Sequence, residues 1–409
     1  VSFGDGEFRS GWRVVLAASI GNGLGAGTLG FFTIGVYGPA IGKDFHWGSG
    51  QISAGLLVNT LVVMLTVPIA GLLADRFGVR RIVLGSTALV LPAFSSFAFV
   101  DGSLVRYYLC WALVGILGAG TFAPTWSRAI NSRFQVHKGL ALGISLCGTG
   151  IAAALLKPFA FMMLAHWGWR IGYVALGGLS IVSFLTALVL VVDARREPGA
   201  AGPAAPPEAE GYSLSTVVRE WRFWIVALAV GAAALAVGGP IPSVESILRE
   251  LNFSREQIIS LASLVGLSII AGRLTGSYLI DRLWAPLVAL VMNVAGAVAM
   301  VMLCLGTTGF AGTALCLVFI GAVTGSEYDL APFLVARYFG SRHYAAVYGA
   351  LYGIFSICTG LGAVLFGAAH DRLGLYRQVL PIFAAVLLAS GLSVLLLGPY
   401  RYPLRRTPP

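Results

Sequence analysis

Charge is scarce in this sequence. Asp, Glu, Lys and Arg make up only 11% of its 409 residues, while 57% are hydrophobic and the mean hydropathy is +0.86. A soluble domain carries roughly a quarter of its residues as charges, and a water-soluble chain could not hide so much apolar surface. Cysteine is equally sparse. The five cysteines (Cys110, Cys147, Cys304, Cys316 and Cys358) sit at unrelated spacings inside apolar runs, which suits small buried helix residues better than a disulfide or metal framework. No grouping of His, Cys and acidic residues has the spacing of a nucleophilic or metal centre, so the sequence offers no enzyme and calls for no cofactor and no metal. No cleavable signal is evident: residues 1–13 are polar, and the apolar run that follows continues too far for a short signal core.

What the chain has instead is apolar length. A spanning helix needs ~20 mostly apolar residues, and segments such as 56–73, 169–192 and 287–305 qualify. The pattern predicts an all-α polytopic membrane protein with about twelve spanning helices at 14–39, 51–74, 82–100, 104–130, 139–165, 170–193, 218–241, 255–280, 285–306, 311–336, 344–369 and 378–398. The one long non-apolar stretch, 194–217, is rich in Pro, Ala, Gly and Glu and reads as a flexible cytoplasmic linker. It divides an N-terminal half, 1–193, from a C-terminal half, 218–409. With the N-terminus inside, eighteen of the 27 Lys and Arg fall beside cytoplasmic segments and seven near the outer face. That bias favours both termini on the cytoplasmic side and assigns the net charge of +10 to topology rather than to a nucleic-acid partner.

The halves repeat. Asp75–Arg76 follows helix 2 and Asp281–Arg282 follows helix 8, 206 positions later; Arg133–Phe134 is matched by Tyr338–Phe339 at 205, and His166 by His370 at 204. Two six-helix repeats imply a central cavity and rocking-type alternating access.

The segment Gly71-Leu-Leu-Ala-Asp-Arg-Phe-Gly-Val-Arg-Arg81, between helices 2 and 3, resembles the signature loop of the major facilitator superfamily. The resemblance implies that fold and makes Asp75, Arg76, Arg80, Asp281 and Arg282 gating candidates. Several further stretches look like the monocarboxylate transporter family, including its bacterial members and the oxalate:formate antiporters. They are Gly11-Trp-Arg-Val-Val15, Gly35-Val-Tyr-Gly-Pro39, Lys138-Gly-Leu-Ala-Leu-Gly-Ile144, Gly325-Ser-Glu-Tyr-Asp-Leu330, Val335-Ala-Arg-Tyr-Phe-Gly340 and Asp371-Arg-Leu-Gly-Leu-Tyr376.

Four charges fall well inside the predicted helices: Lys157, Arg273, Glu327 and Asp329. Each costs ~2.5–3.5 kcal/mol at a helix centre, so each is expected to face a cavity or a partner. Arg273 lies eight residues before Asp281, ~12 Å from the helix end, and its planar fork matches a carboxylate. In the resembling family an arginine at this place binds the substrate carboxylate. That family often carries an acid one turn earlier for proton coupling; here the position is Ile269. Lys157, followed by Pro158, lies ~14 Å from the outer end of helix 5 and is a second candidate for the anion, with regular helix disfavoured there. Glu327 and Asp329 are ~200° apart on helix 10. Either one carries the coupling proton or balances a cation, and Pro332 suggests a locally opened helix beside them. Asn22, Trp126 and Tyr352 are weaker cavity-lining candidates.

The expectation is a secondary transporter of small organic anions such as lactate or pyruvate, working as a monomer among membrane lipids, with a proton as the candidate co-substrate. Two alternatives stay open: a dicarboxylate or anion exchanger, and an exporter of a cationic, drug-like solute using Glu327 or Asp329.

Overall fold

A computed structural model describes residues 6–131, 133–134, 138–191, 214–306, 309–340 and 344–401. Fifteen α-helices follow one another: α1 (Gly6–Gly23), α2 (Ala26–Phe45), α3 (Ser49–Phe77), α4 (Val79–Ser95), α5 (Leu104–Leu117), α6 (Ala123–Asn131), α7 (Lys138–Leu190), α8 (Leu214–Val217), α9 (Trp221–Gly238), α10 (Val244–Glu250), α11 (Arg255–Arg282), α12 (Ala285–Leu305), α13 (Gly309–Tyr338), α14 (Tyr344–Leu373) and α15 (Tyr376–Leu395). Among the described residues, ten helical stretches are long and apolar enough to cross a membrane. One of them is two helices joined at Gly168, where φ is +77°, and Leu104–Leu117 is a shorter apolar helix. Among the described residues these two cases bring the candidate crossings to about twelve, in line with the sequence. Most of the predicted linker lies outside the described residues; its end forms the short α8.

The chain forms two compact units. The first comprises Val1–Arg195, Ile241–Leu267 and Ala363–Tyr376. Its apolar core includes Val14, Ala18, Trp126, Ile130, Phe134, Ala141 and Ala187, from α1, α6, the segment just after α6 and both ends of α7. An aromatic group of Phe94, Phe97, Tyr107, Trp111 and Tyr173 packs α4, α5 and the second part of α7 together. The turn between α3 and α4 is a single residue, Gly78, at φ +91°, a conformation that a side chain would strain. Gly71, one turn before Asp75, lies under the Arg128 guanidinium, and a Cβ there would sit 2.1 Å from its Nη1. The signature loop therefore needs its glycines for one tight turn and one close crossing.

The second unit comprises Arg196–Pro240, Ser268–Gly362 and Arg377–Pro409. Its core gathers Val226, Val230, Val288, Leu334, Val335, Tyr338 and Leu351 from α9, α12, α13 and α14. Glycines bring α11 and α13 into backbone contact: Cβ atoms at Gly272 and Gly325 would stand 2.2 Å and 2.1 Å from the carbonyl oxygens of Ala322 and Ile269.

Two expectations about helix continuity are corrected. Pro158 lies inside α7 and Pro332 inside α13, and both helices run on through them. Each proline removes one backbone hydrogen bond, and neighbouring helices in the bundle can compensate for that loss. The discontinuities fall elsewhere. Predicted helix 1 is broken between α1 and α2, predicted helix 4 between α5 and α6, and helix 7 continues beyond a turn at 239–243 into α10.

Candidate functional site

Helix faces are inverted relative to a soluble protein. Arg273 is 4% exposed while its neighbour Leu274 is 60% exposed; Lys157 is fully buried while Leu155 is 64% exposed. Leucines outward and charges inward suit a helix bathed in lipid, where an ionisable group survives only among protein partners or in a polar cavity.

In the second unit, Arg273 sits on α11 where that helix touches α13. Gly325 is the contact point, and a Cβ on it would lie 2.9 Å from the Arg273 amide nitrogen. The guanidinium is engaged within the protein, and its Nε and Nη1 are buried without a hydrogen bond to the described residues. Glu327, two residues beyond Gly325, is buried on α13 with Asn293 of α12 beside its carboxyl group. Asn293 Nδ2 donates to Ser390 Oγ at 3.2 Å, and Ser390 Oγ donates to the Ala229 carbonyl at 2.7 Å. A polar chain thus leads from Glu327 across α12 and α15 to α9. The Asn293 Oδ1 acceptor is left open, so the chain can take one more donor. The side chain of Asp329, one turn after Gly325, lies outside the described residues. Tyr352 on α14 is half-buried, with its ring 6.2 Å from Tyr348 and 6.1 Å from Phe355.

In the first unit, Lys157 is ion-paired with Glu245 of α10, and neither side chain has any exposure. The lysine predicted to stand as a second cation for the anion has its charge balanced by a carboxylate from between the predicted helices 218–241 and 255–280. Glu245 is the residue that reading missed. The run Gly238-Gly-Pro-Ile-Pro242 ends the predicted helix 7 at 241, yet Val244–Glu250 resumes helix and carries Glu245 inward. Recurrence of apolar residues at Val244, Ile247 and Leu248 was the available signal.

Asn22 and Trp126 stand together at the break in helix 1. Asn22 Nδ2 donates to the Ser145 carbonyl at 3.4 Å, and its own carbonyl accepts from Thr28 Oγ1 at 2.7 Å. The Trp126 ring fills the space beside Gly21, where a Cβ would collide at 1.9 Å, and its N–H donates to the Thr121 carbonyl at 3.1 Å. Trp126 is fully buried, so the structure gives it a packing position instead of an open cavity surface.

Of the gating candidates, Arg80 Nη2 donates to the Leu188 carbonyl at 2.8 Å, tying the signature loop to the end of α7. Arg76 lies over the Phe77 ring at 5.3 Å and Arg282 over Tyr278 at 4.2 Å. The side chains of Asp75 and Asp281 lie outside the described residues.

The sequence profile of the Major Facilitator Superfamily matches residues 20–351 and 226–409. The chain belongs to this superfamily. It is a membrane transporter, not an enzyme. Among its relatives it is 27% identical over 405 residues to monocarboxylate transporter 13 of Bos taurus, covering 95% of this chain and 89% of that one. It is 25% identical over 319 residues to the MFS-type transporter YhjX of Escherichia coli (strain K12), covering 76% and 75%. A bacterial homologue of the human lysosomal transporter Spinster, solved in an inward-facing and occupied conformation, shares the fold with a TM-score of 0.70 at 18% identity, over 95% of this chain and 97% of that one. The superfamily match runs from residue 20 to residue 409.

Proposed function

We propose that this transporter carries small monocarboxylates, with Arg273 as the group that neutralises and orients the carboxylate. The observation behind this reading is a guanidinium held at 4% exposure in the middle of a spanning helix, beside lipid-facing Leu274. Keeping a permanent cation at that depth is costly, and a bidentate fork suits a planar anion better than any other small solute. Likeness to monocarboxylate transporters supports the same substrate class. Arginine cannot shed its proton, so it cannot itself carry coupling protons. Ile269 offers no acid one turn earlier, so the candidates are Glu327 and Asp329, and the coupling role is given to Glu327 because its carboxyl group meets the Asn293–Ser390 chain. Both termini are assigned to the cytoplasmic side on the distribution of Lys and Arg.

The test is a thermal-shift screen of carboxylates on the purified protein, followed by uptake of labelled hits in proteoliposomes. Stabilisation by lactate, pyruvate or a close analogue, lost in Arg273→Ala, is the expected outcome. Full carboxylate binding by Arg273→Ala would sink the proposal, and stabilisation by cations alone would transfer the role to Glu327.

A further inference from the structure

Helix α3 begins without a cap of its own. Its N-cap residue is Gly48, which has no side chain to offer the free amides of the first turn. Gln51 Oε1 accepts from the Gly48 N–H at 3.0 Å. The next two amides are served from 322 and 321 residues away: Ser49 N–H donates to Asp371 Oδ1 and Gly50 N–H to Asp371 Oδ2, each at 2.9 Å. Asp371 lies in the last turn of α14, so a helix of the first sequence half is capped by a carboxylate of the second. His370 Nδ1 also lies 3.2 Å from Asp371 Oδ1. Gly367 faces the Ser49 and Gly50 backbone, where a Cβ would come within 2.8 Å, and Tyr376 donates its hydroxyl hydrogen to Ser49 Oγ at 2.7 Å. Tyr376 is itself fixed by its amide donating to Glu250 Oε1 at 2.8 Å and by the His370 ring stacked on it at 3.8 Å.

We propose that Asp371 is the releasable latch of a gate at this end of the transporter, the end of α3 opposite the signature loop. The inference rests on the reading that the protein alternates access, since a carrier must at some stage separate the start of α3 from the end of α14. What distinguishes Asp371 from a fixed strut is where its energy comes from. The bond joins a carboxylate to the positive end of a helix, and the Asp371 side chain is 34% exposed to solvent. When the helices part, water can satisfy both the amides and the carboxylate, so closure is favoured by a modest amount that solvent can return. The fully buried Lys157–Glu245 pair has no such exchange with water.

The experiment places a cysteine at Ala368, which packs against Gly50, in a background lacking the five native cysteines, and measures labelling by a membrane-impermeant maleimide without any solute present. Loss of a charged cap shifts a two-state equilibrium by roughly fivefold, so Asp371→Asn should label about five times faster than the parent. Asp371→Glu should recover much of the slow rate. Gly48→Ala, whose Cβ would stand 2.5 Å from Asp371 Oδ2, should label fast with the aspartate still present. Apparent affinity for a carboxylate should rise from this side and fall from the other, a sidedness that simple loosening of the fold does not produce. Unchanged labelling in both Asp371→Asn and Gly48→Ala, at parental thermal stability, overturns the latch. Fast labelling in both, with no carboxylate moved by the parent protein, keeps the latch and retires the solute assignment.

Discussion

The ammonium of Lys157 and the carboxylate of Glu245 form a closed ion pair across 88 positions of sequence, with no solvent on either side chain. Removing one partner strands the other as a buried charge, which costs about 3–5 kcal/mol. Lys157→Met and Glu245→Gln should therefore each lower the unfolding temperature of the solubilised protein sharply. Replacing both with methionine should recover most of the loss, since a buried pair is often no more stabilising than packed apolar atoms. A double variant as unstable as the singles would show that the two charges are not energetically coupled.

Arg273→Lys separates charge from shape. Lysine keeps the cation and loses the planar fork. Losing one of two parallel charge-assisted hydrogen bonds, each contributing about 1.5–3 kcal/mol, should lower carboxylate affinity by about tenfold or more, and Arg273→Ala should abolish it. Equal affinity in the lysine variant, read by titration of the thermal shift, would mean that the anion meets a point charge only.

Glu327→Gln tests coupling. Glutamine places an amide donor beside Asn293 and cannot exchange a proton. Exchange of one carboxylate for another should continue, while accumulation driven by a proton gradient should vanish in proteoliposomes. Undiminished accumulation would assign the proton to another group.

Gly325→Ala should force α11 and α13 apart, because its Cβ would stand 2.1 Å from the Ile269 carbonyl oxygen. Overpacking of this kind costs about 1–3 kcal/mol, and it would displace Arg273 as well. Gly349→Ala, on α14 with nothing within 4 Å of its Cβ, should be neutral or stabilising by up to about 1 kcal/mol. Comparing their unfolding temperatures tests whether backbone contact, rather than glycine itself, is what matters.

The number of crossings was legible because lipid demands long apolar runs, and the repeat because Asp75–Arg76 and Asp281–Arg282 stand at matching places. Arg273 was legible for the same reason that it is expensive: a charge inside such a run has few explanations. Continuity was harder to read. Pro158 and Pro332 suggested breaks that the helices do not make, whereas Gly23-Leu24-Gly25 and Gly118–Thr121 hold real ones. Whether a helix breaks depends on who satisfies the freed backbone, and that partner comes from another helix. Glu245 was hidden behind Pro240 and Pro242, and its partner lies on a helix that no local pattern connects to it.

Thr121 shows what such dependence means for making the protein. Its Oγ1 accepts the amide of Ala26 at 3.0 Å, its carbonyl takes the indole N–H of Trp126, and Gly120 beside it donates to Ser86 Oγ at 3.1 Å. The interruption in helix 1 is thus completed by the interruption in helix 4. Neither segment can settle alone in hydrocarbon without open backbone groups. Helix 1, made before helix 4, must wait for it before its break is satisfied, so the assembly of this pair is set by partnership and not by order of synthesis.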